Sequence, residues 1–191
     1  MLIRPIRKIP DVLIYKVPQA PKIIGYIYRK SGNPELYRMI DTRTGHYVGE
    51  MLGDMVVHDK NIHQKFYPIK TPYQSYYIAE LNIEERRKGY GSKFVEFAKN
   101  LSKQSGGGGR VHLLASRLYD REHPPHIFYR KLGFTSNDKF MNNYIDDCIK
   151  LNIPIEPEIA NNLNMYLPIK GETYKPKSKF QSFINFLKRF L

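Results

Sequence analysis

The chain has 191 residues, 41% of them hydrophobic, and a formal net charge of +13. That length suits one domain with a core that needs no staples. The single cysteine, Cys148, excludes an internal disulfide, and no apolar run reaches the roughly 18 residues of a membrane span.

The charge is unevenly spread. Residues 1–30 hold seven Lys and Arg against one acid, and residues 170–191 hold six against one. The body between them keeps 18 basic and 16 acidic residues, so the basicity lies in two arms. Such arms suit an anionic surface or a partner protein, and with 15 tyrosines they keep an RNA-binding reading open. Residues 1–8 are charged but precede no apolar core, which argues against a secretory leader; with one cysteine, a cytoplasmic setting is the expectation.

In chain order, residues 12–17 and 23–28 read as short strands punctuated by Pro10, Pro18 and Pro21. A hairpin follows, with strands at 36–40 and 46–51 around the turn 41–45. Residues 53–72 are mixed, with an extended piece at 55–57 and a loop holding Pro68 and Pro72. Residues 76–83 form a strand. Simple alternation puts Tyr77, Ala79, Leu81 and Ile83 on one face and Tyr76, Ile78, Glu80 and Asn82 on the other.

The helix after Gly91 is the best-defined element. Phe94, Val95, Phe97, Ala98 and Leu101 make one apolar stripe, and the glycines 106–109 stop it. Residues 111–115 are a buried strand, giving a strand–helix–strand unit with a parallel pairing. His123, Pro124 and Pro125 open a second helix that ends at Gly133. Residues 137–150 are helical, 158–162 add a turn of helix, and 164–168 form a last strand. In the tail, Phe180, Phe183, Ile184, Leu187, Phe190 and Leu191 fall at helical spacing between lysines. That stripe suits docking on its own domain or a partner, or lying on a membrane surface.

The chemistry lies in the turn 86–92. A P-loop needs Gly-x4-Gly-Lys-Ser/Thr, and Gly89, Tyr90, Gly91, Ser92 and Lys93 have neither that spacing nor that ending. A dinucleotide fingerprint needs a third glycine at position 94, which is Phe94. What remains is Arg-x-x-Gly-x-Gly between strand and helix. Its glycines let backbone N–H groups converge, and the helix start with Arg86, Arg87 and Lys88 adds positive charge. This suits a diphosphate.

Arg86-Arg87-Lys88-Gly89-Tyr90-Gly91 resembles the cofactor motif of the GNAT superfamily of N-acetyltransferases. Ile127-Phe128-Tyr129-Arg130-Lys131-Leu132-Gly133-Phe134 resembles its second signature, in the expected order and at the expected separation. The resemblance implies an α/β fold: a central, mostly antiparallel twisted sheet, splayed at a parallel pair and flanked by helices. It covers residues 35–168, with 137–163 a helical insertion. Residues 1–34 are then a basic arm with short strands, and 169–191 a basic tail.

The implied activity is transfer of an acetyl group from acetyl-CoA to a primary amine by direct attack, without a metal. Backbone N–H groups of Arg87, Lys88, Gly89, Tyr90, Gly91 and Ser92, beside Arg86, would hold the pyrophosphate. Leu81 and Ile83 would meet the acetyl and pantetheine portion. Tyr129 matches the tyrosine that donates a proton to the departing thiolate, the bland alternative being a buried ring whose hydroxyl bonds a neighbour. Glu80 is the candidate general base, or else an edge carboxylate. Cys148 is a bystander, His112 is structural, and His123 and His126 have surface or capping roles ahead of any ligand contact. The six histidines show no metal spacing.

Two departures stand out. At the second helix start, where the family has a small polar residue that contacts CoA, the sequence reads Asp120-Arg121-Glu122-His123-Pro124-Pro125. Residues 1–34 also lack the family's helix pair beside the acceptor pocket. The acceptor side is therefore expected to be open or rebuilt by 137–163, which favours a protein lysine or N-terminus as acceptor. The rival readings are an acyl-CoA-binding or protein-binding module without turnover and a basic RNA-binding protein.

Overall fold

A computed structural model describes residues 14–19, 22–29, 36–59, 66–118, 123–156, 159 and 162–170. The strands are β1 (Ile14–Gln19), β2 (Lys22–Arg29), β3 (Leu36–Asp41), β4 (Tyr47–His58), β5 (Tyr73–Ile83), β6 (Val111–Ser116) and β7 (Asn162–Tyr166). The helices are α1 (Tyr90–Gln104), α2 (Pro125–Lys131) and α3 (Lys139–Leu151). The expected tail stripe and the helical turn at 158–162, apart from Ile159 and Asn162, lie outside the described residues. No helix among the described residues is long and apolar enough to cross a membrane.

All seven strands join one sheet in sequence order. Each neighbouring pair is antiparallel except β5 with β6, and α1 makes the crossover that a parallel pair requires. Residues 22–29 belong to this sheet through β3, and Ile27 is fully buried in its core. Among the described residues two strands, and no helix, precede β3.

Strand β4 differs from expectation. Residues 47–51 of the expected 46–51 strand and the piece 55–57 are parts of one 12-residue strand that runs through Gly53. Its pairing with β5 shifts between Leu52 and Gly53: Leu52 faces Glu80 and Gly53 faces Ile78, so Ala79 has no partner. This is a β-bulge, and it overturns the simple alternation read along β5. Tyr76 and Ile78 are buried in the main core, and beyond the bulge Leu81 and Ile83 pack against that same core. Tyr77, expected beside them, instead stacks on His112 on the opposite face.

The main core lies under α1 and α2. Phe94, Phe97 and Leu101 of α1 meet Tyr37, Met55, Tyr76 and Val111 of the sheet, with Tyr37 and Phe97 in edge contact at 5.0 Å. Each fully buried phenylalanine contributes about 2–3 kcal/mol. The opposite face is aromatic and polar. There His58 Nε2 and His112 Nδ1 each lie 2.8 Å from Ser75 Oγ, with His58 stacked on Tyr73. Burial of His112, aided by His58, pushes its pKa down to about 3 and keeps the ring neutral, in line with a structural role.

Helix α3 packs on α2 around a small second core of Met141, Ile145, Cys148 and Ile155, with Ile127 against it. Asp138 caps it by accepting from the Met141 amide, and Arg130 of α2 grips Asp146 with two bonds of 2.7 and 2.6 Å. Cys148 is buried there with its thiol 3.8 Å from the Pro154 carbonyl.

Candidate active site

The site begins where β5 and β6 part. They pair only at Tyr76 with Val111, Tyr77 with His112 and Ile78 with Leu113. Beyond these, β5 continues beside β4 to Ile83 while β6 continues beside β7 to Ser116. The two facing edges carry backbone N–H and C=O groups that no ladder bond joins, next to exposed side chains of Ala79, Glu80 and Leu114. Leu81 and Ile83 are half-buried at the far end of this gap. Glu80 is exposed.

The basic turn follows β5 directly, and residues 84–89 are all exposed. Arg87 and Gly89 adopt left-handed backbone conformations, with φ of 63° and 81°. Helix α1 then starts at Tyr90 with no side-chain cap and no acidic residue in its first turn. Its leading N–H groups and the positive end of its dipole are thus available to an anion. Lys88 is ion-paired with Glu85, so part of the charge counted in the sequence is already neutralised.

Gly91 explains how the two sequence motifs come together. A Cβ there would lie 2.9 Å from Phe128 Cζ, so the missing side chain lets the start of α1 close on α2. Tyr90 turns inward and is 3% exposed. Its hydroxyl donates a short hydrogen bond to Asp41 Oδ2 at the end of β3. Asp41 is also buried, and Arg43 binds it through Nε (3.2 Å), Nη2 (2.8 Å) and its backbone amide (2.7 Å). The Arg43 fork and the Tyr90 hydroxyl hold the Asp41 pKa well below the usual carboxylate range.

Tyr129 lies on α2, buried in the main core between Phe128 and Phe134 at ring distances of 5.0 and 5.4 Å. Its hydroxyl makes no hydrogen bond to another described residue. Burial pushes its pKa well above the ordinary tyrosine value, which keeps it a phenol and a hydrogen-bond donor. His126, one turn earlier, is fully buried, and neither ring nitrogen has a hydrogen-bond partner. That differs from the surface or capping role read from the sequence. Burial and then the charge of nearby Arg117 push its pKa down to about 4, so the ring is neutral. His123 is exposed. No cluster of metal-ligating side chains occurs among the described residues.

Sequence reasoning missed Asp41, Arg43 and Gly53. The first two sit in what reads only as a hairpin turn, and Gly53 opens the stretch 53–72 that reads only as mixed.

The chain is similar to several solved structures. Arabidopsis thaliana Naa50, in complex with a bisubstrate analogue, matches at 16% identity over 70% of this chain and 72% of that one, with a TM-score of 0.42. A NatB acetyltransferase complex bound to CoA and MES matches at 17% identity, over 71% and 75% of the two chains, with a TM-score of 0.42. Bacillus subtilis N-acetyltransferase YlbP in complex with coenzyme A matches at 15%, over 69% of each chain, with a TM-score of 0.39. Likeness at these identities concerns the fold alone. No family model and no curated relative matches the chain.

Proposed function

We propose that this GNAT-like chain is an N-acetyltransferase that moves an acetyl group from acetyl-CoA to a primary amine by direct attack. The observation that carries this is the parting of β5 and β6 after Ile78 and Leu113, with the exposed glycine turn at one end of the gap. Unpaired strand edges and converging amides suit an extended, amide-bearing chain that ends in a diphosphate. Acetyl-CoA supplies the activated thioester.

The residues divide the work. Backbone amides of the turn 87–92, with Arg86, take the pyrophosphate. The β5 edge near Leu81 and Ile83 lies along the pantetheine, and a main-chain N–H there stabilises the developing oxyanion. The amine nitrogen bonds to the acetyl carbon, the carbon–sulfur bond breaks, and the nitrogen's proton passes to Glu80 or to water. Tyr129 offers its O–H to the departing sulfur. Because its pKa is raised, full proton transfer to the thiolate is uphill, and the hydroxyl serves mainly as a donor while charge builds. Cys148 is buried on α3 in the small second core, which supports a mechanism without a cysteine nucleophile.

The acceptor we favour is a protein or peptide amine. Among the described residues no helix precedes β3, α3 packs on α2, and Glu80 and Leu114 are exposed beside the gap. An RNA-binding reading loses support because seven described tyrosines are buried rather than offered for stacking. The test is Tyr129→Phe. Turnover should fall roughly hundredfold while CoA still binds. Unchanged turnover would remove Tyr129 from the chemistry, and CoA binding with no turnover in wild type, across amine pools read by mass spectrometry, would leave a binding module.

A further inference from the structure

The glycine turn has one anchor that its sequence does not announce. Every residue of 84–89 is exposed, and the first buried side chain after them is Tyr90. Tyr90 reaches across 49 positions to donate to Asp41, whose carboxylate sits at the β3–β4 turn. That turn is itself closed by the Asp41 amide on the His46 carbonyl at 3.0 Å and the Gly45 amide on the Asp41 carbonyl at 2.9 Å. The anion-facing turn and the β3–β4 turn are therefore one hydrogen-bonded unit.

The charge arrangement is unusual for a structural bond. A buried carboxylate below an anion-binding turn would repel the ligand if left bare. Arg43 prevents this by gripping both oxygens from the solvent side, where its own side chain is 70% exposed. The pair leaves one strong acceptor pointing at Tyr90 with little net field beyond it. A neutral acceptor would hold Tyr90 less firmly, because hydrogen bonds to ionised groups are roughly twice as strong as neutral ones.

We infer that Asp41, shielded by Arg43, is a positioning residue for acetyl-CoA. Acting through the Tyr90 hydroxyl, it fixes the backbone of the turn, so that the amides of 87–92 are aligned before the pyrophosphate arrives. This rests on the assignment of that turn as the CoA-binding element. Pre-alignment lowers the ordering cost of binding, which otherwise falls on the ligand.

The experiment measures CoA binding by calorimetry and amide hydrogen exchange in the ligand-free full-length chain for Tyr90→Phe, Asp41→Ala and Asp41→Asn. Tyr90→Phe and Asp41→Ala should weaken CoA binding about tenfold and speed exchange at 86–92. Asp41→Asn, whose neutral carbonyl still accepts the Tyr90 hydroxyl but less strongly, should fall between wild type and Asp41→Ala. Tyr90→Phe keeps the ring and its packing, so it reports on the hydroxyl even if Asp41→Ala does not fold. A folded Tyr90→Phe variant with wild-type affinity and exchange overturns the inference, as does a lowered melting temperature with affinity unchanged. Wild-type protein that fails to bind CoA overturns the assignment of the turn as well, and only that outcome does so.

Discussion

Gly53→Ala is the substitution with the clearest structural consequence. A Cβ at this position would lie 2.4 Å from the Tyr77 carbonyl oxygen and 2.7 Å from Tyr76 Cε1. Carbon–oxygen contacts across a sheet settle at about 3.3–3.6 Å, so β5 must retreat by roughly 1 Å. The obstacle is backbone rather than the tip of a mobile side chain, which puts the cost toward the upper end of the about 1–3 kcal/mol typical of overpacking. In a chain of this size each kcal/mol lowers the melting temperature by about 2–4 °C, giving a fall of roughly 5–10 °C. The retreat would also move Ala79, the bulged residue, and with it the strand edge assigned to pantetheine. Thermal melts and CoA titration of the variant test both effects. A melting temperature within about 2 °C of wild type, with unchanged CoA affinity, would refute the close approach as the reason for glycine.

Gly91→Ala meets a softer neighbour. The contact at 2.9 Å is with the far end of the Phe128 ring, so a loss of about 1 kcal/mol is expected, relieved when Phe128→Leu is added. Strictly additive losses in the double variant, read from urea melts, would argue against the contact. Stability should also depend on pH through His112. Its folded pKa of about 3 lies below the unfolded value of 6.5, so its contribution is complete above pH 6.5 and is lost as pH falls toward 3. The loss from this group is on the order of 2 kcal/mol at pH 5, and burial of His58 acts in the same direction. His112→Phe should flatten the slope of unfolding free energy between pH 6.5 and 4; an unchanged slope would mean that His112 is not the group responsible.

What the sequence disclosed follows from the range of each signal. Helix α1 was legible because Phe94, Phe97, Ala98 and Leu101 form a local period, and the glycine turn because its spacing excludes two other phosphate motifs. Strand β6 and the Gly133 stop were equally local. The errors arose where a long-range contact decides. Gly53 reads as part of a mixed stretch because its role depends on Tyr77, 24 positions later in the chain. Simple alternation places Ala79 on one face with Tyr77, Leu81 and Ile83 because it cannot register a bulge at Ala79 itself. Tyr90 drew attention for its amide while its side chain was answering Asp41. His126 read as a surface residue because nothing local marks a histidine for full burial.

The bulge and the parting of the sheet are best understood together. Ala79 is the residue without a β4 partner, and it directly follows Ile78, the last residue of β5 paired with β6. A bulge bends its strand and increases the local right-handed twist. Past Ala79, β5 remains bonded to β4 while turning away from β6, and β6 keeps β7 as its only partner. On this account the opening is written into the β4–β5 register rather than into β6. Gly53 permits the register shift by letting the Tyr77 carbonyl approach, so the residue that opens the gap lies on the strand farther from it. Disturbing β7 should then leave the parting point at Ile78, whereas disturbing Gly53 should move it. Hydrogen exchange at the amides of Ala79 and Leu114 distinguishes the two, and an equal change at both amides from substitutions in either strand would refute the account.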